Sequence, residues 1–505
     1  MKKFLALLSM FGLIFVSCSD DDTVADTTPT PPTPITFTSG SADFSNYVSL
    51  GNSLTAGFSD AALFQSGQTA SFPNMLASNF ELAGGGSFNI PFMADDLGGL
   101  TLGGTPISGN RLILSFASGS PAPVPVSGQG STEVSNVLSG PFNNMGVPGA
   151  KSYHLLAPGY GNVAGVGSTA NPYFVRFASS PNTTILADAA AQNASFFSLW
   201  IGNNDVLGYA TSGGAGVDQT GNLDPSTYGG SDVSDPNVVA GSINAILQAM
   251  TANNAKGVIA NIPDVTTIPF LTTVPHNPVP LDAATADLLN GAYAAYNQAL
   301  LAFSTNQNPL GAPQITPEEA AKRTISFQAG QGNAVVILDE DLTDLSVFSS
   351  ALINMRQATA DDLLVLTSST FIGSLANPAD PTSINGVAVP LADNWVLTPE
   401  EQQIANAAVT AYNQVIAGLA TQYDLALVDA NSLLVELGAN GFTQADGSVV
   451  TANFGTGGGF SLDGVHPSPR GYAILANAFV EAINTKYGSN LPGVNPLDFT
   501  GLYIK

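Results

Sequence analysis

The sequence is poor in three things that chemistry often uses. Among 505 residues there are one cysteine and three histidines, and 12 lysines and arginines face 38 aspartates and glutamates. One cysteine excludes an internal disulfide scaffold. Three scattered histidines beside it hardly supply the three or four ligands of a protein zinc site. A net charge of −26 repels phosphate backbones, which excludes a general nucleic-acid binder. Charge of either sign is scarce as well, at 10% of the chain against 44% apolar residues. The surface must therefore be largely uncharged and polar, and the apolar share excludes disorder throughout. What the chain does have is glycine (52) and proline (33), enough for many loops and without the period of a fibre.

The lone cysteine has a context. The chain opens Met1-Lys2-Lys3, continues through an apolar run from Phe4 to Val16, and reaches Ser17-Cys18. A basic start followed by an apolar run too short to span as a mature helix reads as a signal peptide over residues 1–17. The small residue directly before the cysteine resembles the cleavage box of bacterial lipoproteins. That resemblance implies an acylated Cys18, attachment to the membrane through its lipid, and an outer-membrane location. Residues 18–42 follow as Ser19-Asp20-Asp21-Asp22 and then a Thr/Pro run from Thr27 to Pro34, which cannot collapse and reads as a tether. An acidic run directly after the lipid cysteine resembles a surface-export signal of some Gram-negative lipoproteins.

From residue 43 to 505 the pattern is α/β. Tyr47–Leu50, Phe196–Ile201, Gly257–Ile262 and Leu425–Asp429 are short apolar runs closed by glycine, proline or aspartate, as strands buried on both faces would be. Thr398, Pro399 and Glu401 form a capping box that predicts a helix, with Ile404, Ala408, Ala411, Val415 and Leu419 on one face. A last amphipathic helix is expected over 470–484. Two tetrapeptides recur: Ala-Tyr-Asn-Gln at 295 and 411, and Thr-Pro-Glu-Glu at 316 and 398. Their order differs between the copies, so they read as shared helix grammar and not as a repeat. Two long Gly/Pro/Ser-rich stretches, about 83–142 and 270–395, read as insertions. The first carries Phe88, Ile90, Phe92, Met93, Leu97, Leu100 and Leu102 among its glycines, and is expected to line an acyl pocket as a cap.

Four segments carry candidate chemistry, each at a strand end or in a loop, where an open α/β sheet places its ligand. Gly51-Asn52-Ser53-Leu54 follows the first strand, and a serine on such a turn has an exposed hydroxyl suited to a nucleophile. Asn144 to Ala150 reads as a glycine-rich turn before a helical stretch, with N–H groups of Gly146 or Gly149 free for an oxyanion. Gly202-Asn203-Asn204-Asp205 offers an amide donor after the second buried strand. Asp463-Gly464-Val465-His466 places a carboxylate three residues from an imidazole that it can orient. Of the other histidines, His154 reads as a packed or solvated helix residue, and His276 lies between prolines with no carboxylate near it. Arg470 reads as a helix-start charge. The pair Asp361-Asp362 and the run Asp339-Glu340-Asp341 lack the alternating spacing of a calcium loop and read as solvated helix ends.

In this order the four segments resemble the sequence blocks of the SGNH hydrolases, the GDSL esterase/lipase family, over about residues 47–484 with the two insertions unmatched. The resemblance implies a three-layer α/β/α sandwich with a mostly parallel, flavodoxin-like sheet. It implies Ser53 as nucleophile, His466 as base and Asp463 as its orienting acid. Ser53, Gly149 and Asn204 would form the oxyanion hole. The family usually has aspartate where this chain has Asn52; an amide there can keep the acceptor bonds to the backbone. The expected activity is hydrolysis of carboxylic esters, acyl lipids or acetylated glycans, with no metal and no other cofactor. A non-catalytic surface binding lipoprotein is the alternative from another class.

Overall fold

Alternation inside five short strands builds the centre of the molecule. They are β1 (Tyr47–Gly51), β2 (Asn144–Gly146), β3 (Phe196–Trp200), β4 (Lys256–Ala260) and β5 (Ala426–Val428). All pair in parallel, in the spatial order β2-β1-β3-β4-β5. This is a doubly wound order, which brings the ends of β1 and β3 together at the point where the winding reverses. Val48, Leu50, Phe197, Leu199 and Ile259 face one core, and Tyr47, Phe196, Trp200 and Val258 face another. The three inner strands β1, β3 and β4 read as apolar runs because both of their faces are covered, whereas at the edge Leu427 of β5 is exposed.

The longer helices are α1 (Phe72–Glu81), α2 (Asn204–Thr211), α3 (Pro236–Met250), α4 (Ala283–Phe303), α5 (Pro399–Gln422), α6 (Ala430–Ala439) and α7 (Pro469–Tyr487), of which α4 packs in the second insertion and not on the sheet. Helices α2, α3 and α5 pack on the face of Val48 and Leu50, and α1 and α7 on the face of Tyr47. The protein is therefore mixed α/β around a five-stranded parallel sheet. This computed structural model describes residues 35–117, 119–308 and 310–505. The expected signal peptide, Cys18 and the tether up to residue 34 lie outside the described residues. The compact body runs from Phe37 to Lys505. Its first residues are already tied down at the end of α7: the N–H of Thr38 donates to Asn490 Oδ1 (2.7 Å) and that of Ser41 to the Tyr487 carbonyl (2.8 Å). Among the described residues no helix is long and apolar enough to cross a membrane.

Four expectations change. Asn144–Gly146, read as a turn because of its glycine and amides, is the edge strand β2, in register with Ser49–Gly51 of β1. Gly146 is needed there because a Cβ would meet the backbone of Ala56 at 2.4 Å. Ser152–Leu156 coils, but as a 3-10 turn. The capping box at Thr398 and Glu401 forms as expected, yet the buried stripe of α5 runs through Ala405, Ala408, Val409, Tyr412, Ile416 and Ala420. Only Ala408 of the expected face is fully buried; the helix is turned by about one residue. Tyr412 sets that turn, because its hydroxyl donates to the buried Ser234 carbonyl.

Of the acidic pair and run, Glu340, Asp341 and Asp361 are exposed as expected, but none of the five ends a helix, and Asp339 and Asp362 are buried. Arg356, 1% exposed, donates from Nε to Asp339 and from both Nη atoms to Asp362 at 2.7 Å. This network sits in the second insertion, 270–395, which has an apolar core of its own around Tyr293, Tyr296, Leu300, Val336, Leu364 and Leu391. The first insertion folds back on the body: Phe88 stacks on Tyr47 at 5.0 Å, and Met93 and Leu100 are buried with Ala56 and Leu63.

Candidate active site

Ser53 stands two residues past the end of β1, as the first residue of a one-turn helix, Ser53–Ala56. Asn52 caps that turn, its Oδ1 accepting from Leu54 N–H at 3.0 Å. The Asn52 amide Nδ2 donates to Asn203 Oδ1 at 3.1 Å, a bond that a carboxylate could not make as donor. Gly57 ends the turn at φ +85°, where a Cβ would meet the Gly67 carbonyl at 2.6 Å. The chain is thus held tightly on both sides of the serine, and the N–H of a first helical residue has no acceptor within its helix.

Opposite it lies the loop that precedes α7. His466 Nε2 is 2.9 Å from Ser53 Oγ, and its Nδ1 is 2.8 Å from Asp463 Oδ2. The hydrogen-bonded chain Ser53–His466–Asp463 joins residues more than 400 positions apart in sequence. Asp463 is held from every side. Its Oδ1 accepts from the N–H groups of Val465 and His466 and from Ser461 Oγ, and its Oδ2 from Ala61 N–H at 2.9 Å. Burial opposes the charge, but the imidazole and these donors hold the carboxyl down at about 2. The phenyl ring of Phe58 covers the imidazole at 4.6 Å.

The sequence reading missed Phe58, Ser461 and the turn Asp60–Ala61. Asp60 and Ala61 both adopt positive φ, 50° and 63°, and that turn aims Ala61 N–H at Asp463. No residue type in it announces such a conformation. Asp60 is buried, with Oδ1 accepting from Leu462 N–H and Oδ2 unpartnered; burial pushes its carboxyl up to about 6.

The two candidate glycines differ. Gly146 N–H donates to Asn144 Oδ1 at 2.9 Å, so it is occupied. Gly149 is exposed at φ +80°, and its N–H meets no acceptor among the described residues. Asn204, the first residue of α2, donates from Nδ2 to the Ala150 carbonyl at 2.9 Å, which ties it to the Gly149 turn. Asp205 braces the same turn from below, accepting from Ser152 N–H and Oγ. His154 is packed: its ring stacks on Tyr160 at 4.6 Å, its Nδ1 accepts from Lys151 N–H, and burial lowers it to about 4. Arg470 donates to the Phe499 carbonyl and so holds the C-terminal segment.

Beside Ser53 and His466 opens a narrow apolar cleft of about 100 Å³ between α6, α7 and the loop after β4. Its walls include Trp200, Ile268, Leu434, Leu437, Phe442 and Ile474. No residue of 83–142 is among them, so the expected cap is corrected: Ile90, Met93 and Leu100 are buried in the scaffold, Phe92 is exposed, and none of the seven lines the cleft. The second insertion does come near. Phe270 N–H donates to the Gly464 carbonyl at 2.9 Å, and Leu366 N–H to the Phe270 carbonyl, so the insertion backs the loop that carries Asp463 and His466. In comparisons with known proteins, no family model and no curated protein matches the chain.

Proposed function

We propose that the chain is a serine esterase of the SGNH hydrolase type, with that family's three-layer sandwich, anchored to the bacterial outer membrane by a lipid on Cys18. The observation that carries the reading is the Ser53–His466–Asp463 hydrogen-bonded chain at the C-terminal edge of a parallel sheet. Ser53 Oγ attacks the ester carbonyl while His466 Nε2 takes its proton. The imidazole then passes that proton to the departing alkoxide, leaving an acyl-serine. A water, deprotonated by His466, attacks the acyl-serine and releases the acid. Asp463 holds the proton on Nδ1 throughout and offsets the imidazolium charge. The oxyanion is received by the N–H groups of Ser53 and Gly149 and the Asn204 amide, each such donor being worth about 10²–10³ in rate.

The cleft favours acyl lipids over acetylated glycans. An acetyl group needs no long apolar wall, and a glycan needs polar partners along its length, whereas most of the side chains that line the cleft are apolar. A purely binding role is disfavoured because it has no use for a serine, an imidazole and a carboxylate in hydrogen-bonded series. A fluorophosphonate probe should label the protein at Ser53, and Ser53→Ala should abolish the label. Labelling that persists in that variant, or none in the wild type, overturns the reading. An ester series should show kcat/KM rising by roughly tenfold from acetyl to medium-chain acyl groups, as apolar burial requires. A preference for acetyl would return the glycan esterase.

A further inference from the structure

Away from the cleft, three carboxylates converge where the second insertion meets α5. Glu340 lies in the loop after the strand Val336–Leu338, Asp393 in the short turn Asp393–Trp395, and Glu401 in the first turn of α5. One oxygen of each lies within 4.8 Å of the others. The geometry points to a site for a hard divalent cation, calcium by preference, formed by Glu340, Asp393 and Glu401.

The spacing fits one ion, since calcium–oxygen distances of about 2.3–2.6 Å allow ligand oxygens up to twice that apart. The second observation is Glu401 itself. It is 4% exposed, and its Oε2 accepts from Thr398 N–H and Oγ1. Its Oε1 is buried with no protein partner, beside Asp393 and Glu340. A buried carboxylate oxygen without a donor is costly, and a cation offsets that cost without requiring one of three neighbouring carboxyls to hold a proton. Among the described residues no Lys, Arg or His pairs with any of the three; the nearby Lys322 pairs with Asp339 and Glu400. Burial and mutual crowding push Asp393 and Glu401 upward, the direction expected of carboxylates that lack a counter-charge.

The donor set decides the metal class. Three carboxylates with no imidazole or thiolate suit a hard, oxygen-seeking ion and not zinc or copper. Glu340 is exposed and Asp393 half-buried, so the site opens to solvent on one side and leaves room for water ligands. The ion would tie the insertion to the capping box of α5 and has no part in the reaction at Ser53, so the inference stands apart from the proposed activity.

The test is calcium titration of the EDTA-treated protein, by calorimetry and by thermal melting, in 0.15 M NaCl. One calcium should bind per chain with a dissociation constant of about 10⁻⁴–10⁻³ M, the range of extracellular sites, and raise the melting temperature by roughly 1–3 °C. Glu340→Gln, at an exposed position, should weaken binding at least tenfold while leaving the melting temperature in EDTA unchanged. Glu401→Gln should abolish binding and keep the cap, because glutamine serves at that position too. Glu436→Gln, elsewhere on this acidic surface, should change nothing. Absence of saturable binding up to 10 mM calcium overturns the site, and so does equal affinity in wild type and Glu340→Gln, which would mean diffuse counter-ions. If Glu401→Gln does not fold, the Glu340 variant decides alone.

Discussion

Two regions of this molecule bury carboxylates against a positive partner, and they do it for opposite ends. In the loop before α7, Asp463 faces an imidazole that can lose its proton, and that loop lines an apolar cleft. In the second insertion, Asp339 and Asp362 face Arg356, a guanidinium that stays charged at any pH of interest, inside a sealed core. Burial works against all of these charges. At Asp463 it is offset mainly by His466 and by backbone donors, which keep the acid ionised whether the ring is neutral or charged. At Asp362 it is offset by bidentate bonds to Arg356, whose own charge those carboxylates favour in turn. A switchable partner belongs to chemistry, and a fixed one to architecture.

The sharpest way to break the comparison is to neutralise each acid site. Asp463→Asn should lower kcat by about 10⁴, because the imidazole loses the group that fixes its tautomer, while the fold survives. The assay is ester turnover beside a melting curve. Arg356→Met should do the reverse. It takes the guanidinium from two buried carboxylates, leaving Asp339 only the half-exposed Lys322 as a counter-charge and Asp362 only hydrogen bonds from Thr359, costs about 3–5 kcal/mol of stability in denaturant titration, and spares kcat in the folded fraction. Adding Asp339→Asn and Asp362→Asn should restore much of that loss, which removal of a merely packed side chain would not permit.

Acid sharpens the contrast. Asp463 sits at about 2 when folded against 3.8 in the unfolded chain. Its contribution to stability, about 2 kcal/mol, is therefore complete above about pH 4 and drains away as pH falls toward 2. The stability gap between wild type and Asp463→Asn should close over that window, and a gap of constant size would show that the carboxylate is neutral in the fold. The smallest effect is expected from Asn52→Asp. The cap to Leu54 persists, only the bond to Asn203 is lost, and stability should fall by about 1 kcal/mol by thermal melting.

How legible was this in the sequence? Four of the five central strands announced themselves as apolar runs, three because both of their faces are buried, and the edge strand Ala426–Val428 although its Leu427 is exposed. The fifth, Asn144–Gly146, did not, since an edge strand of three residues with glycine and amides has no such run. Ser53, Asp463 and His466 were visible as residue types at strand ends, and the structure brings them into one hydrogen-bonded series. Gly149 was separable from Gly146 only once the N–H partners were known. The braces around Asp463 were not legible at all, because Ala61 acts through its backbone and Phe58 through a ring with no patterned neighbours. The repeated Ala-Tyr-Asn-Gln shows why local grammar misleads and informs at once. In both copies the tyrosine hydroxyl meets a buried carbonyl, and the asparagine clasps one peptide from both sides: Ile325 in the insertion, Ile262 under α5. The motif is a way to dock a helix, used twice on different partners.

The bonds from Thr38 and Ser41 to the far end of α7 have a mechanical consequence. That helix has 19 residues and so is about 28 Å long, and its other end begins three residues after His466. Anything that strains Thr38 or Ser41 therefore meets the tail of a rod, about 28 Å from the loop at its head that carries Asp463 and His466.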